Sequence, residues 1–405
     1  MDSASSPISS QPRAAVSATS LYQPTSPRLA GPGDGAQTSF AAVLDSARLP
    51  STLLRAPSSS RWASLGFLTN YTVPLLNWRS VQPSFSLLQQ FLAAAVGANA
   101  DSSSTSAPLS LADFPRPPGD NGWGIHWIPT VSQSPEVVDR YVDEAAAMGM
   151  KWVVFLNDGA QVGANDYLVK RLVQRGIEPI MRVYTAGLIP IQGDLKGMVE
   201  HYRQLGVHYF QLYNEPNLKV ETNGREPDVE HYLDLWVPAA QQVVAGGGLP
   251  GFGALSPQGE ADDYTFLQTA LSRLKARGLA SVLDRAWLAL HNYTGPRALT
   301  DPDGFMRFRK YDAIVRSVLG RSMPIISTEG GTHVSEYVTE EQQIAAMTGA
   351  YDYMRHKPEA YYFANTYWII ANGHDASWDQ HALIRPDGPT ALASALKQMA
   401  SGGSI

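Results

Sequence analysis

The sequence predicts a (β/α)8 TIM barrel with a largely disordered N-terminal extension. Three observations carry this. From Asn121 onward, short β-branched and aromatic runs alternate with amphipathic helical stretches. The alternation repeats eight times over about 280 residues, close to the roughly 250 typical of such a barrel. The polar residues able to do chemistry fall at the C-terminal tips of several different strands, where a barrel gathers them around one mouth. An open, doubly wound sheet uses the same units and is the main competitor.

Taken in order, residues 1–60 are rich in Ser, Ala, Pro and Gly without sustained periodicity and read as a disordered tail. Residues 61–120 read as a docking segment and linker. Within them Phe85–Val96 has the spacing of a short amphipathic helix, and Asp101–Pro108 and the prolines up to Pro118 mark a connection. The barrel, residues 121–405, starts with a strand at Trp123–Trp127, a helix at Pro135–Met148 and a strand at Lys151–Asn157. Helices near Asp166–Arg175 and Leu195–Leu205 flank a strand at Glu178–Tyr184. The run from Tyr209 is the fourth strand, and it stops abruptly at Asn214-Glu215-Pro216. Helix Val229–Val244, strand Phe252–Ser256, helix Tyr264–Ala276 and strand Arg285–Tyr293 follow. The chain closes with helix Phe305–Leu319, strand Pro324–Glu329, helix Glu340–Arg355, strand Tyr361–Ile370 and helix Thr390–Met399.

Composition narrows the chemistry. A net charge of −6 leaves no basic field for phosphates, which argues against nucleic acid as a partner. The absence of cysteine excludes disulfides, thiolate metal sites and a cysteine nucleophile. No apolar run is long enough to span a bilayer, and the N-terminus lacks the basic start and apolar stretch of a secretory signal. That reads as a cytoplasmic protein by default, with unconventional export or a mis-assigned start as alternatives; oligomeric state is not legible. The run Gly246–Gly251 matches a dinucleotide fingerprint in spacing, but it precedes a strand instead of joining a strand to a helix. His374 and His381 around Asp375 and Asp379 make a poor metal signature. The sequons at Asn70 and Asn292 matter only on export.

The strand tips offer His126, Asn157, Arg182 with Tyr184, Asn214 with Glu215, His291 with Tyr293, Glu329 and Trp368. His291 and Tyr293 are two apart and share a face. The fourth and seventh strands of a barrel lie nearly opposite, so Glu215 and Glu329 are expected to face each other across the mouth. Paired carboxylates about 5–5.5 Å apart are what retaining glycoside hydrolysis needs, and about 6.5–9.5 Å suits the inverting reaction. Arg182, if it reaches Glu329, favours its ionised form, and Tyr293 can donate to the same carboxylate. His126 and His291 also fit satisfied barrel-interior histidines, and Trp368 fits core packing. Trp127, Tyr184, His374 and Trp378 are placed on rim loops where further sugar subsites form.

Asn-Glu-Pro on the fourth strand, His-x-Tyr on the sixth, Thr-Glu-Gly on the seventh and a Trp on the eighth together resemble clan A glycoside hydrolases, the superfamily of the family 5 cellulases and mannanases. The resemblance covers about residues 121–400. It implies a retaining hydrolase of a β-linked glucan or related polysaccharide, using no metal or organic cofactor. Glu215 is then the acid/base and Glu329 the nucleophile. By the same resemblance Asn214 bonds the sugar 2-hydroxyl, His291 and Tyr293 orient the carboxylates, and Trp368 is the sugar platform. A non-catalytic carbohydrate-binding barrel with a tethering tail is the alternative.

Overall fold

A computed structural model describes residues 107–373 and 376–403. The tail, the greater part of the docking segment including the helix expected at Phe85–Val96, and His374 and Asp375 lie outside the described residues.

Eight parallel strands close into a barrel in sequence order. They are β1 Trp123–His126, β2 Trp152–Asp158, β3 Glu178–Tyr184, β4 Tyr209–Leu212, β5 Leu249–Leu255, β6 Trp287–Tyr293, β7 Ile325–Gly331 and β8 Tyr362–Tyr367. Closure is made where Gly124 of β1 registers with Thr366 of β8, and Gly124 has no Cβ because one would come within 2.5 Å of the Thr366 hydroxyl. The open sheet is therefore excluded. Among the described residues, eight α-helices wrap the barrel: α1 Pro135–Ala147, α2 Asp166–Gln174, α3 Leu195–Leu205, α4 Val229–Ala245, α5 Asp263–Ala276, α6 Arg307–Leu319, α7 Glu340–His356 and α8 Ala391–Ala400. Several of their starts are fixed by side-chain caps: Asp194 accepts from Gly197 N, Asp262 from Thr265 N, and Thr390 from Ala393 N, while Thr339 and Gln342 form a capping box. No helix among the described residues is long and apolar enough to cross a membrane.

Side-chain alternation divides the strands between two cores. Val153, Phe155, Met181, Val183, Phe210, Leu288 and Leu290 face the helices. Trp152, Val154, Ile180, Tyr209, Trp287, Ala289 and Ile326 fill the barrel interior at its N-terminal end. Phe114 joins this interior cluster, with Leu109 and Leu111 packed against it. Phe114 meets Phe363 edge-on at 6.4 Å, Arg116 lies over the same ring, and Tyr209 Oη donates to Pro115 O. Residues 107–118, expected as a connection, are instead a plug beneath the barrel.

Two element boundaries also move. The fifth strand starts at Leu249, three residues before the glycine- and proline-based expectation, because Pro250 registers with Phe210 and Gly251 makes room for the Trp287 ring. The eighth ends at Tyr367, leaving Trp368 just beyond the sheet.

Candidate active site

The mouth is assembled by three departures from regular strand geometry. On β6 the interior face carries Trp287, Ala289, His291 and Tyr293 in strict alternation. On β7 Ile326 faces inward, so simple alternation turns Glu329 outward toward the helices. The register slips between Leu290↔Ser327 and His291↔Glu329, skipping Thr328, and this bulge returns Glu329 to the interior beside His291. A second bulge on β5 skips Ala254, whose φ is 55°. Beyond β4, Tyr213 and Glu215 take φ of 62° and 37°, and Glu215 N donates to Ala254 O at 3.0 Å. Left-handed backbone at non-glycine residues costs about 1–3 kcal/mol each and gathers where a side chain must be aimed.

These devices bring the expected carboxylates together. A Glu215 oxygen, a Glu329 oxygen and a His291 ring nitrogen all lie within 4.8 Å of one another, and all three residues are buried. His291 Nδ1 is 2.8 Å from Glu215 Oε1 and 3.6 Å from Glu329 Oε2. Arg182 Nη1 donates to Glu329 Oε1 at 2.6 Å, and Tyr293 Oη donates to Glu329 Oε2 at 2.8 Å. Burial acts to raise the Glu329 carboxyl, but the charges of His291 and Arg182 and the Tyr293 hydrogen bond outweigh it and hold the group below its ordinary value. Burial likewise disfavours the His291 imidazolium, yet Glu329 and Glu215 together raise its pKa. Burial raises Tyr293 well above its ordinary value, aided by Glu329, so it stays a phenol donor.

His126 completes the inner wall. Its Nδ1 is 2.9 Å from Trp127 O, its ring packs on Trp368 at 4.3 Å, and burial pulls it down to about 4, so it is neutral near pH 7. Its Nε2 is buried without a partner among the described residues, as is that of His291. Orphaned polar atoms of this kind cost free energy unless a ligand or water satisfies them. Trp368 is joined to Ile369 by a cis peptide bond, and its ring lies 5.0 Å from Trp378.

Glu215, His291 and Glu329 have the residue types of a metal triad, but their neighbours do not suit one. Glu329 already receives a guanidinium and a phenol, and a cation as close as Arg182 repels a divalent ion. The donor set fits a hydrogen-bonded carboxylate pair better.

Three expected residues sit elsewhere or act differently. Asn157 shares the outward parity of Val153 and Phe155 and is not in the mouth. Its Nδ2 donates to Gly159 O and Gln161 O, and its Oδ1 accepts from Asn165 and Tyr202, so it holds the loop after β2. Trp127, expected on the rim, is fully buried with its ring against Tyr141 and its indole N–H on Gln133. Trp378 is buried against Trp368 instead of standing on the rim. Tyr184 does line open space, a cavity of about 390 Å³ formed with Asp158, Gln161 and Ile189. Asn214 is beside Glu215 as expected, with its Nδ2 donating to Glu221 Oε1 at 3.0 Å. Two residues were missed. Glu221 follows the fourth strand by nine positions in a polar loop with no periodicity, and His333, packed against Tyr293, Tyr367 and His381, follows Glu329 in another loop.

No family model matches the chain, and no curated protein matches it. Solved structures do share its fold. The GH39 enzyme from Xanthomonas axonopodis pv. citri superposes with a TM-score of 0.52 at 14% identity, covering 74% of this chain and 71% of that one. A family 39 glycoside hydrolase from the gut symbiont Bacteroides cellulosilyticus gives 0.47 at 15%, covering 71% of this chain and 64% of that one. A family 51 α-L-arabinofuranosidase from Bifidobacterium longum gives 0.49 at 11%, covering 75% of each. At these identities the likeness is one of fold.

Proposed function

We propose that this chain is a retaining glycoside hydrolase in which Glu329 is the nucleophile and Glu215 the general acid/base. The observation that carries the reading is the carboxylate pair, with oxygens within 4.8 Å across a barrel mouth and two donors on one member only. That spacing supports double displacement and leaves too little room for the water that an inverting enzyme activates between its carboxyls. The asymmetry supports the division of labour. Arg182 and Tyr293 keep Glu329 ionised and in line, as a nucleophile requires, whereas Glu215 carries no cationic clamp besides His291.

In the first step a Glu329 oxygen bonds to the anomeric carbon as the glycosidic bond breaks, and Glu215 gives its proton to the departing oxygen. In the second, Glu215 takes a proton from water, which attacks the same carbon and releases Glu329. His291 lies between the two carboxylates and stabilises whichever is negative at each stage. His126 Nε2, unpartnered and neutral, is available to a sugar hydroxyl, and Trp368, held by His126 and Trp378, offers an apolar wall. A β-linked glucan or related polysaccharide is the substrate class we put forward.

The test is a hydrolysis screen of the full chain against a panel of neutral β-glucans, mannans and xylans, scored by reducing ends. The wild type releases sugar from at least one of them, while Glu215→Gln loses about 10²–10⁴-fold and Glu329→Ala is inactive. A barrel that only binds carbohydrate gives no product with any glycan and binds equally well after either substitution.

A further inference from the structure

A third carboxylate reaches the proposed site, and the acid pair does not account for it. Glu221 is carried by the loop after β4, which coils directly off the site: Leu218 N donates to Glu215 O, and Thr222 N to Leu218 O and Lys219 O. The facing loop after β3 is stitched to it by Leu188 N donating to Glu221 O at 2.7 Å. Gly187, at φ 93°, permits this approach, since a Cβ there would come within 2.8 Å of the Asn223 side chain and 3.0 Å of Glu221 O. Glu221 is thus fixed from both sides. Its Oε1 accepts the Asn214 amide at 3.0 Å, so the side chain next to Glu215 in sequence is anchored by a carboxylate.

We propose that Glu221 is a positioning residue of this site, holding the Asn214 amide against the sugar through a hydrogen bond that is productive when Glu221 is ionised. The inference rests on the glycosidase reading above. An ionised acceptor makes a shorter and roughly twice stronger bond than a neutral one, and a loosely held amide contributes little to a transition state that needs atoms placed to a fraction of an ångström. The groups facing Glu221 are Arg182 from β3, Asn214 and Glu215 from the end of β4, and Glu329 from β7. Burial among them pushes its carboxyl up to about 7, with Arg182 pulling down and Glu215 and Glu329 pushing up. The two forms therefore exchange near neutral pH, well above the range in which Glu329 titrates.

The experiment is the pH dependence of kcat and KM, with melting temperature, for the full-length wild type, Glu221→Gln and Glu221→Ala on the glycan the wild type hydrolyses best. The wild type is expected to lose activity as pH falls through about 7. Glu221→Gln keeps an acceptor of the same size and lacks the titration. It should run within about tenfold of wild type at neutral pH and lose the inflection that belongs to Glu221, while any inflection from His291 is common to both profiles. Glu221→Ala should lose about 10²-fold, chiefly in kcat, with the loss greater than any fall in melting temperature explains. Superposable profiles for wild type and Glu221→Gln, or full activity of Glu221→Ala, overturn the proposal. A wild type that hydrolyses nothing overturns the glycosidase reading, and this inference with it.

Discussion

The two ends of the barrel are built from the same eight strands and have opposite characters. At the N-terminal end the inward residues are Trp152, Ile180, Tyr209, Trp287 and Phe363, closed from below by Phe114, and the one slip in register there, between β7 and β8, skips Phe363 and aims no polar group. At the C-terminal end the inward residues are Arg182, His291, Tyr293 and Glu329, the register slips on β5 and β7, and Tyr213, Glu215 and Ala254 have positive φ. Regular alternation packs aromatic rings at low cost. Aiming two carboxylates at one point requires the chain to break alternation, and the closed, well-packed end is what holds those breaks in place.

If this division is right, damage at each end has a different signature. The largest effect is expected for Arg182→Met. It removes the guanidinium on Glu329 Oε1, so kcat/KM falls about 10²–10³-fold. Because Glu329 is held below its ordinary value, the acid limb set by its own protonation lies below the loss expected from Glu221. Without Arg182 burial prevails more fully, and the acid limb moves to higher pH. A pH–rate profile with an unmoved limb breaks the comparison at the mouth. Next is Phe114→Ala, which empties the plug and is expected to cost about 3–5 kcal/mol of stability in a denaturant titration, with the shape of the pH–rate profile unchanged. The smallest is Asn157→Ala. It frees the loop after β2 by removing the donor to Gly159 O and Gln161 O, lowering stability by about 1–3 kcal/mol with KM unaltered; a selective rise in KM would return Asn157 to the mouth.

Much of this was legible because strand alternation is a strict rule. His291 and Tyr293 two apart, and Arg182 and Tyr184 two apart, could be assigned to one face from spacing alone, and His291, Tyr293 and Arg182 meet the carboxylates while Tyr184 lines a cavity with Asp158 and Gln161. The same rule, applied to Asn157 with Val153 and Phe155, points it outward; its polar tip position concealed that. Glu329 faces the mouth only through the bulge at Thr328, which no residue type in Ile-Ile-Ser-Thr-Glu announces. The prolines between Pro108 and Pro118 resemble a linker, although Leu109, Leu111 and Phe114 are apolar enough to plug the barrel. Glu221 carries no sequence signal at all: its place depends on two loops meeting, and loop conformation is set by tertiary contacts.

The central claim, that Glu329 attacks the anomeric carbon from within this clamp, is tested most directly by azide rescue. With an activated aryl glycoside of the sugar the wild type cleaves, Glu329→Gly should be inactive alone, and millimolar to molar azide should restore turnover. The product should be a glycosyl azide of configuration opposite to the substrate, formed by azide occupying the vacated carboxylate position. Rescue of a Glu215→Gly variant with that inverted product, and none for Glu329→Gly, would contradict the assignment.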